Sequence, residues 1–310
     1  EDRNGPSRHR EGRAAAELTR PGGIVLTTDA DAIVKHDWLA RTRQHMASGA
    51  DAVSGFVQHN PAEKSDWPQA LKDRTELECR YEHLLAELYA LLDPRPCNPW
   101  PNHRITLGAS LAATLEAYRR CGGMPPVPCG EDRAFIAALE RVDARVRFPC
   151  DVVAYTSSRL SGRADGGMAA TLRARACDPD LPCDPLLEPV ALACRRAKWR
   201  RSLRRIWPAP LPADWAQTLR IAPSRLTALW SAPGFGQAWQ DIEAASPELE
   251  RKCLTIRQLR EEMKKLEDLV AELRAREKPS LENTRPAASP SRTSPAYADR
   301  AASVASRPAT

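Results

Sequence analysis

Short apolar runs and longer stretches of helical spacing alternate through the first half of the chain. Ile24, Val25 and Leu26 stand between Gly22-Gly23 and the polar end Thr27-Thr28-Asp29-Ala30-Asp31. That pattern predicts a strand buried on both faces, with two carboxylates just past its end. A helix over Arg8 to Leu18, with Ala14, Ala15, Ala16 and Leu18 as its apolar positions, leads into it. Asp37 to Ser48 reads as a helix with Trp38, Leu39 and Met46 facing inward, and Ala52 to Val57 as a second strand stopped by Asn60-Pro61. Asp66 to Leu92 is a long helical region in which Leu77, Tyr81, Leu84, Leu85, Leu88 and Leu92 share one side. Leu107 to Ala112 reads as a third strand whose small centre admits close approach of a ligand or backbone. Thr114 is the expected N-cap of a helix ending at Gly122-Gly123. Glu131 to Leu139 forms another helix with both of its acids in the first turn, where the macrodipole favours them. Val142 to Phe148 and Val152 to Thr156 read as two more strands. A polar loop from Ser157 to Gly167 follows, carrying Arg159 and Arg163. Strands alternating with helices predict an α/β domain.

The second half reads differently. Pro189 to Trp207 is basic and aromatic, with Arg195, Arg196, Lys198, Arg200, Arg201, Arg204 and Arg205 around Trp199 and Trp207. Such a helix suits an anionic membrane surface, and its charge equally fits nucleic acid. It can also pack Val190, Ala193, Ala197 and Leu203 against the domain. In Leu249 to Leu273, Ile256, Leu259, Met263, Leu266, Val270 and Leu273 alternate by three and four, the spacing of a coiled-coil seam. Self-association through that seam and folding back on the α/β domain are the two readings. Lys278 to Thr310 is rich in Pro, Ser, Ala, Thr and Arg and is expected to be disordered. The resulting division is residues 1–177 for the α/β domain, 178–247 for a basic and aromatic helical extension, 248–278 for a coiled-coil helix and 279–310 for the tail.

Composition narrows this picture only slightly. A chain of 310 residues with net charge +6 has no charge excess that demands a nucleic-acid partner. The nine Cys are irregularly spaced without a C-x-x-C, so neither a zinc site nor a disulfide framework is indicated and reduced thiols are expected. No apolar run reaches the ~18 residues that a membrane span needs.

The chemistry lies in two acidic sites about a hundred residues apart, Asp29-Ala30-Asp31 and Glu131-Asp132. Two carboxylates at D-x-D spacing can converge on one hard cation. Together with Asp37-Trp38-Leu39, Gly108-Ala109-Ser110-Leu111-Ala112, Tyr118, Gly122-Gly123 and Gly130, these motifs resemble a family 2 glycosyltransferase from about Arg8 to Leu172. The resemblance implies a partial GT-A (Rossmann-like) sheet with flanking helices. It implies an inverting transfer of a sugar from a nucleotide-sugar donor to a saccharide or lipid-linked acceptor hydroxyl, in cell-envelope polysaccharide or glycolipid synthesis. Asp29 and Asp31 would then hold Mg²⁺ or Mn²⁺ on the donor diphosphate, with Asp31 the direct ligand. Asp132 would be the catalytic base and Glu131 its neighbour at the acceptor. Arg159 and Arg163 would lie near the donor phosphates, where guanidinium geometry suits phosphate. His103 is read as a structural histidine rather than an acceptor contact.

Members of that family begin with a strand, a nucleotide-contacting loop and a second strand, none of which precedes Arg8 here. The chain as printed is therefore expected to expose a sheet edge and to bind a nucleotide-sugar poorly. The expected location is cytoplasmic, with peripheral contact at the inner face of the membrane and no nucleic-acid partner. The competing reading is a degenerate, non-catalytic transferase domain retained as an interaction protein through its coiled coil.

Overall fold

The computed structural model describes residues 7–161, 167–178 and 180–282. Arg163 and the tail from residue 283 onward lie outside the described residues. Helix α1 (Ser7–Leu18) leads into strand β1 (Ile24–Thr27), followed by the two-residue strand β2 (Ile33–Val34) and helix α2 (Trp38–Ala47). Strands β3 (Ala52–Ser54) and β4 (Phe56–His59) precede the short helix α3 (Pro61–Lys64) and the long α4 (Gln69–Leu92). Then come β5 (Leu111–Thr114), α5 (Leu115–Arg120), α6 (Glu131–Arg141), β6 (Val146–Arg147) and β7 (Val153–Thr156). The remainder is helical: α7 (Met168–Cys177), α8 (Val190–Ile206), α9 (Trp215–Thr218), α10 (Pro223–Trp230), α11 (Phe235–Ala245) and α12 (Ile256–Glu282).

The strands form two small mixed sheets. In the first, of order β1-β5-β3-β6, β5 is antiparallel to both neighbours and β3 is parallel to β6. In the second, of order β2-β7-β4, β2 is antiparallel and β4 parallel to β7. The single strand predicted over Ala52 to Val57 is broken at Gly55, where the chain passes from one sheet to the other. The Gly55 N–H donates to the Ser110 carbonyl at 2.8 Å and the Phe56 N–H to the Val152 carbonyl at 2.7 Å. A Cβ at position 55 would run into the Ser110 hydroxyl and the Val152 backbone, so the crossing needs glycine.

Four more expectations change. Strand β1 lies at a sheet edge with only Val25 fully buried, rather than being covered on both faces. Leu39 is 50% exposed instead of facing inward, whereas Trp38 and Met46 do pack on Val53, Ala112 and Val152. The third strand starts at Leu111, because Leu107 to Ser110 is a turn closed by the Ser110 N–H on the Leu107 carbonyl. The strand expected over Val142 to Phe148 shrinks to Val146–Arg147, since α6 runs on to Arg141 and Asp143 takes a left-handed φ of 56°. Thr114 caps α5 as expected, its hydroxyl accepting the Ala117 N–H at 3.2 Å.

The three largest apolar clusters among the described residues hold most of these elements. Leu111, Met124, Phe135, Leu139 and Val146 pack between the first sheet and helices α5 and α6. Leu203, Leu219, Ile242 and Leu249 centre the helical extension. Between them, Tyr81, Leu85 and Leu88 of α4 meet Val190 and Ala193 of α8 and Leu259, Met263, Leu266 and Val270 of α12. The coiled-coil stripe is thus covered by α4 of the same chain. The basic helix α8 likewise turns its Val190, Ala193, Ala197 and Leu203 side inward. Trp199 and Trp207 sit edge-on against Trp215 and Trp230, and Arg195, Arg196, Arg200, Arg201 and Arg204 bond to groups inside the chain. Among the described residues no helix is long and apolar enough to cross a membrane.

Leu266 is fully buried in this interface. Leu266→Ala should lower unfolding stability by about 2–4 kcal/mol, the usual cost of such a cavity, while leaving the mass in solution unchanged. A drop in mass without loss of monomer stability would show instead that the stripe pairs chains.

Helix α4 also buries Glu82, whose carboxylate accepts the Arg104 N–H at 2.9 Å. Burial pushes its pKa up from 4.5 to about 7. The folded chain then holds a proton that the unfolded chain has lost, so this group's contribution declines as pH rises from 4.5 to 7. Glu82→Gln keeps an oxygen acceptor and removes the titration. Its stability relative to the native chain should grow across that window by on the order of 2–3 kcal/mol, read from urea melts at pH 5 and pH 8. A pH-independent difference would refute the assignment.

Candidate active site

The site is assembled at the C-terminal end of β1. Asp29 and Asp31 follow that strand with side chains 25% and 46% exposed. The Thr28 hydroxyl donates to the Ala109 carbonyl at 3.0 Å, tying the loop to the turn that enters β5. Trp38 supports the same turn from the other side, its indole N–H donating to the Ser110 hydroxyl at 2.8 Å.

Arg8 of α1 joins the two acidic motifs. Its guanidinium is ion-paired with Asp29 and lies 3.4 Å from a Glu131 carboxylate oxygen. The same guanidinium is pressed against Gly108, where any side chain would overlap it. A glycine read in the sequence as room for a ligand is here room for an arginine. On the other side Arg159, at the end of the segment after β7, pairs with Asp31 at 2.7 Å. Two guanidiniums thus hold three of the acids, Arg8 taking Asp29 and Glu131 and Arg159 taking Asp31. Arg163 lies outside the described residues.

Asp132 stands beside Glu131 in the first turn of α6 and is half-buried. Its carboxylate accepts the Arg133 N–H at 2.7 Å. Burial raises its pKa above the usual carboxylate value, and the like charge of Glu131 adds to this. The Arg133 N–H and the charges of Arg133 and Arg8 work in the opposite direction. Such a group is a better proton acceptor near neutrality than an exposed aspartate.

Asp29, Asp31, Glu131 and Asp132 outnumber Arg8 and Arg159, so the site carries an excess of negative charge. Among the described residues no group of three or more His, Cys, Asp or Glu is placed to hold a metal ion. Asp29 and Asp31 are each held by a guanidinium instead, of Arg8 and of Arg159.

His103 is away from this site. It is 2% exposed, wedged between the rings of Phe56 and Phe148, and burial lowers its pKa to about 3. It is a neutral core residue. A cavity of about 470 Å³ also lies elsewhere, along the α6 surface that faces α8 and α11, and none of the acidic-site residues lines it.

Arg8 is the one site residue that sequence reading missed as such. The signal was a basic residue on the helix feeding the D-x-D strand, opposite in sign to both motifs. Comparison of the chain with protein-family models, curated proteins and solved structures finds no match to any of them.

Proposed function

We propose that the chain carries the donor-metal and base groups of an inverting glycosyl transfer on a GT-A-type scaffold. The observation that carries this reading is the Arg8 bridge between Asp29 and Glu131, residues about a hundred apart in sequence. It brings the end of β1 and the start of α6 to one place, as a metal-plus-base mechanism requires.

In this mechanism Asp132 takes the proton of the acceptor hydroxyl. The acceptor oxygen attacks the anomeric carbon from the face opposite the leaving group and bonds to it. The carbon–oxygen bond to the phosphate breaks, and the electron pair leaves with the nucleoside diphosphate. Partial burial of Asp132 suits it to hold that proton. Glu131 orients the acceptor by accepting a second hydroxyl. Asp29 and Asp31 would hold Mg²⁺ or Mn²⁺, which stabilises the negative charge developing on the leaving diphosphate. Arg159 contributes a phosphate contact from the opposite side. The free edge of β1 leaves the donor side open among the described residues, so donor binding should be weaker than micromolar and turnover slow.

Two measurements test this. Mn²⁺ titrated into the chain, followed by loss of its free electron-paramagnetic signal, should bind through Asp29 and Asp31. Asp31→Asn should weaken it about tenfold or more. Arg8→Gln should tighten it, because Arg8 competes for Asp29. Mn²⁺ binding indifferent to Asp29→Asn and Asp31→Asn would remove the metal site. With Mn²⁺ and a panel of nucleotide-sugars, release of nucleoside diphosphate should fall at least ~100-fold in Asp132→Asn. Its acid limb should lie above the ordinary carboxylate pKa, with activity lost as pH falls through it. Release that survives Asp132→Asn would overturn the base assignment.

A further inference from the structure

The cavity between α6, α8 and α11 is lined by arginines that its carboxylates do not fully balance. Arg95 pairs with Glu140 at 2.9 Å. Arg200, at 2.5 Å, and Arg204 share Asp93, whose side chain is completely buried. Arg104, Arg196 and Arg251 gather on the buried Glu188 at 3.8, 3.1 and 3.8 Å, and the last two also reach Glu243. Six guanidiniums therefore meet four carboxylates. Two further arginines on the rim are balanced one to one, Arg133 by Asp184 and Arg145 by Asp51. Of the remaining acids, Asp143 on the rim accepts the Gly236 N–H at 2.7 Å, and Glu82 behind Arg104 is the group whose burial favours its neutral form.

Two of these guanidiniums are disfavoured in their charged form by their surroundings. Burial, followed for Arg196 by the charge of Arg251, lowers the pKa of Arg196 below the usual arginine value. Burial also lowers that of Arg200, with Arg95 adding to the effect and Asp93 opposing it. Removing charge from water is costly unless partners replace the lost hydration. A cavity of about 470 Å³ with such walls has the size of a small-molecule site.

We propose that this cavity binds a small phosphate-bearing molecule. With Asp143 counted, eight guanidiniums meet seven carboxylates, so the walls carry a net positive charge, and guanidinium forks match phosphate oxygens in geometry. Tyr89, with the Arg104 guanidinium 3.9 Å from its ring centroid, and Trp239 supply flat apolar wall for the rest of the ligand. The site is independent of the glycosyl-transfer reading, because none of its groups belongs to the acidic site.

The test uses the full chain with inorganic pyrophosphate and with adenosine monophosphate, measured by titration calorimetry and thermal unfolding at matched ionic strength. Saturable one-to-one binding and a rise in unfolding temperature are expected for at least one of them. Tighter binding of the nucleotide would mean that the walls are used; equal binding would mean that the phosphate alone is read. Arg204→Gln combined with Arg251→Gln should weaken binding about tenfold or more. In that variant Arg200 still holds Asp93 and Arg196 still holds Glu188 and Glu243, so each buried carboxylate keeps a guanidinium. Asp29→Asn with Asp31→Asn should leave binding unchanged. No saturable binding of either probe overturns the proposal. So does binding that the arginine variant retains, or binding that only the aspartate variant loses.

Discussion

Buried carboxylates on and around α4 are the constraint to which the rest of this structure answers. Glu78, Glu82 and Glu87 lie within the helix, Asp93 follows its last turn, and Glu188 packs against Tyr81 and Tyr89. A carboxylate taken out of water must find donors or lose its charge. Glu78 finds Arg74 and Arg175, Glu87 finds Arg274 of α12, and Asp93 finds Arg200 and Arg204 of α8. The pairs with Arg175, Arg274, Arg200 and Arg204 fix where α7, α12 and α8 lie along α4. The apolar stripe of α12 would tolerate sliding by a heptad, but the Arg274–Glu87 pair would not. Hydrophobic burial supplies the drive to associate, and these ion pairs choose the position. Glu82 is the exception that shows the cost: with only a backbone N–H for a partner, it is pushed toward its neutral form.

The same accounting separates the two candidate sites. At the end of β1 the carboxylates are in excess and two guanidiniums partly neutralise them. In the cavity the arginines are in excess. Both imbalances sit beside α6, whose first turn carries Glu131 and Asp132 and whose last turns carry Glu140 toward the cavity. A carboxylate suits the helix N-terminus and is disfavoured at its C-terminus. Glu140 is held ionised at the disfavoured end by Arg95, with Arg200 and Arg104 beyond it, and its pKa lies below the usual value despite burial. Helix α6 thus separates a negatively charged surface from a positively charged one.

Much of the element order could be read in the sequence, because the long helices carry their own periodicity. Helices α2, α4, α6 and α8 fall within a few residues of their expected ranges, and Thr114 is the cap that its residue type suggested. Helix α12, by contrast, begins only at Ile256 and runs to Glu282 instead of spanning Leu249 to Leu273. The strands were less legible for a physical reason. Ala52 to Val57 is one apolar run, and only the contacts of Gly55 with Ser110 and Val152 reveal that it serves two sheets. Sequence pattern also could not tell whether the α12 stripe meets another chain or α4, since the required spacing is the same in either case. The arginines of α8 looked like a surface feature, because their partners Asp93, Glu188 and Glu243 are scattered over some 150 residues of sequence. Charge pairing across such separations leaves no local pattern.

The acidic site shows why the motifs alone were an incomplete description. Asp29 and Glu131 repel one another, and their approach is tolerable only with a cation between them. In the chain as it stands that cation is Arg8, seated in space that Gly108 leaves open. A divalent ion would have to compete with it for Asp29, while Asp31 faces the more exposed and more easily displaced Arg159, whose side chain is 50% exposed. A surface ion pair of that kind is worth little and yields to a stronger ligand. Under the proposed function, Asp31 is the carboxylate at which an incoming metal would gain most, and Asp29 the one whose engagement would first have to release α1. Metal binding at Asp29 would then be coupled to the position of the helix that leads into the strand.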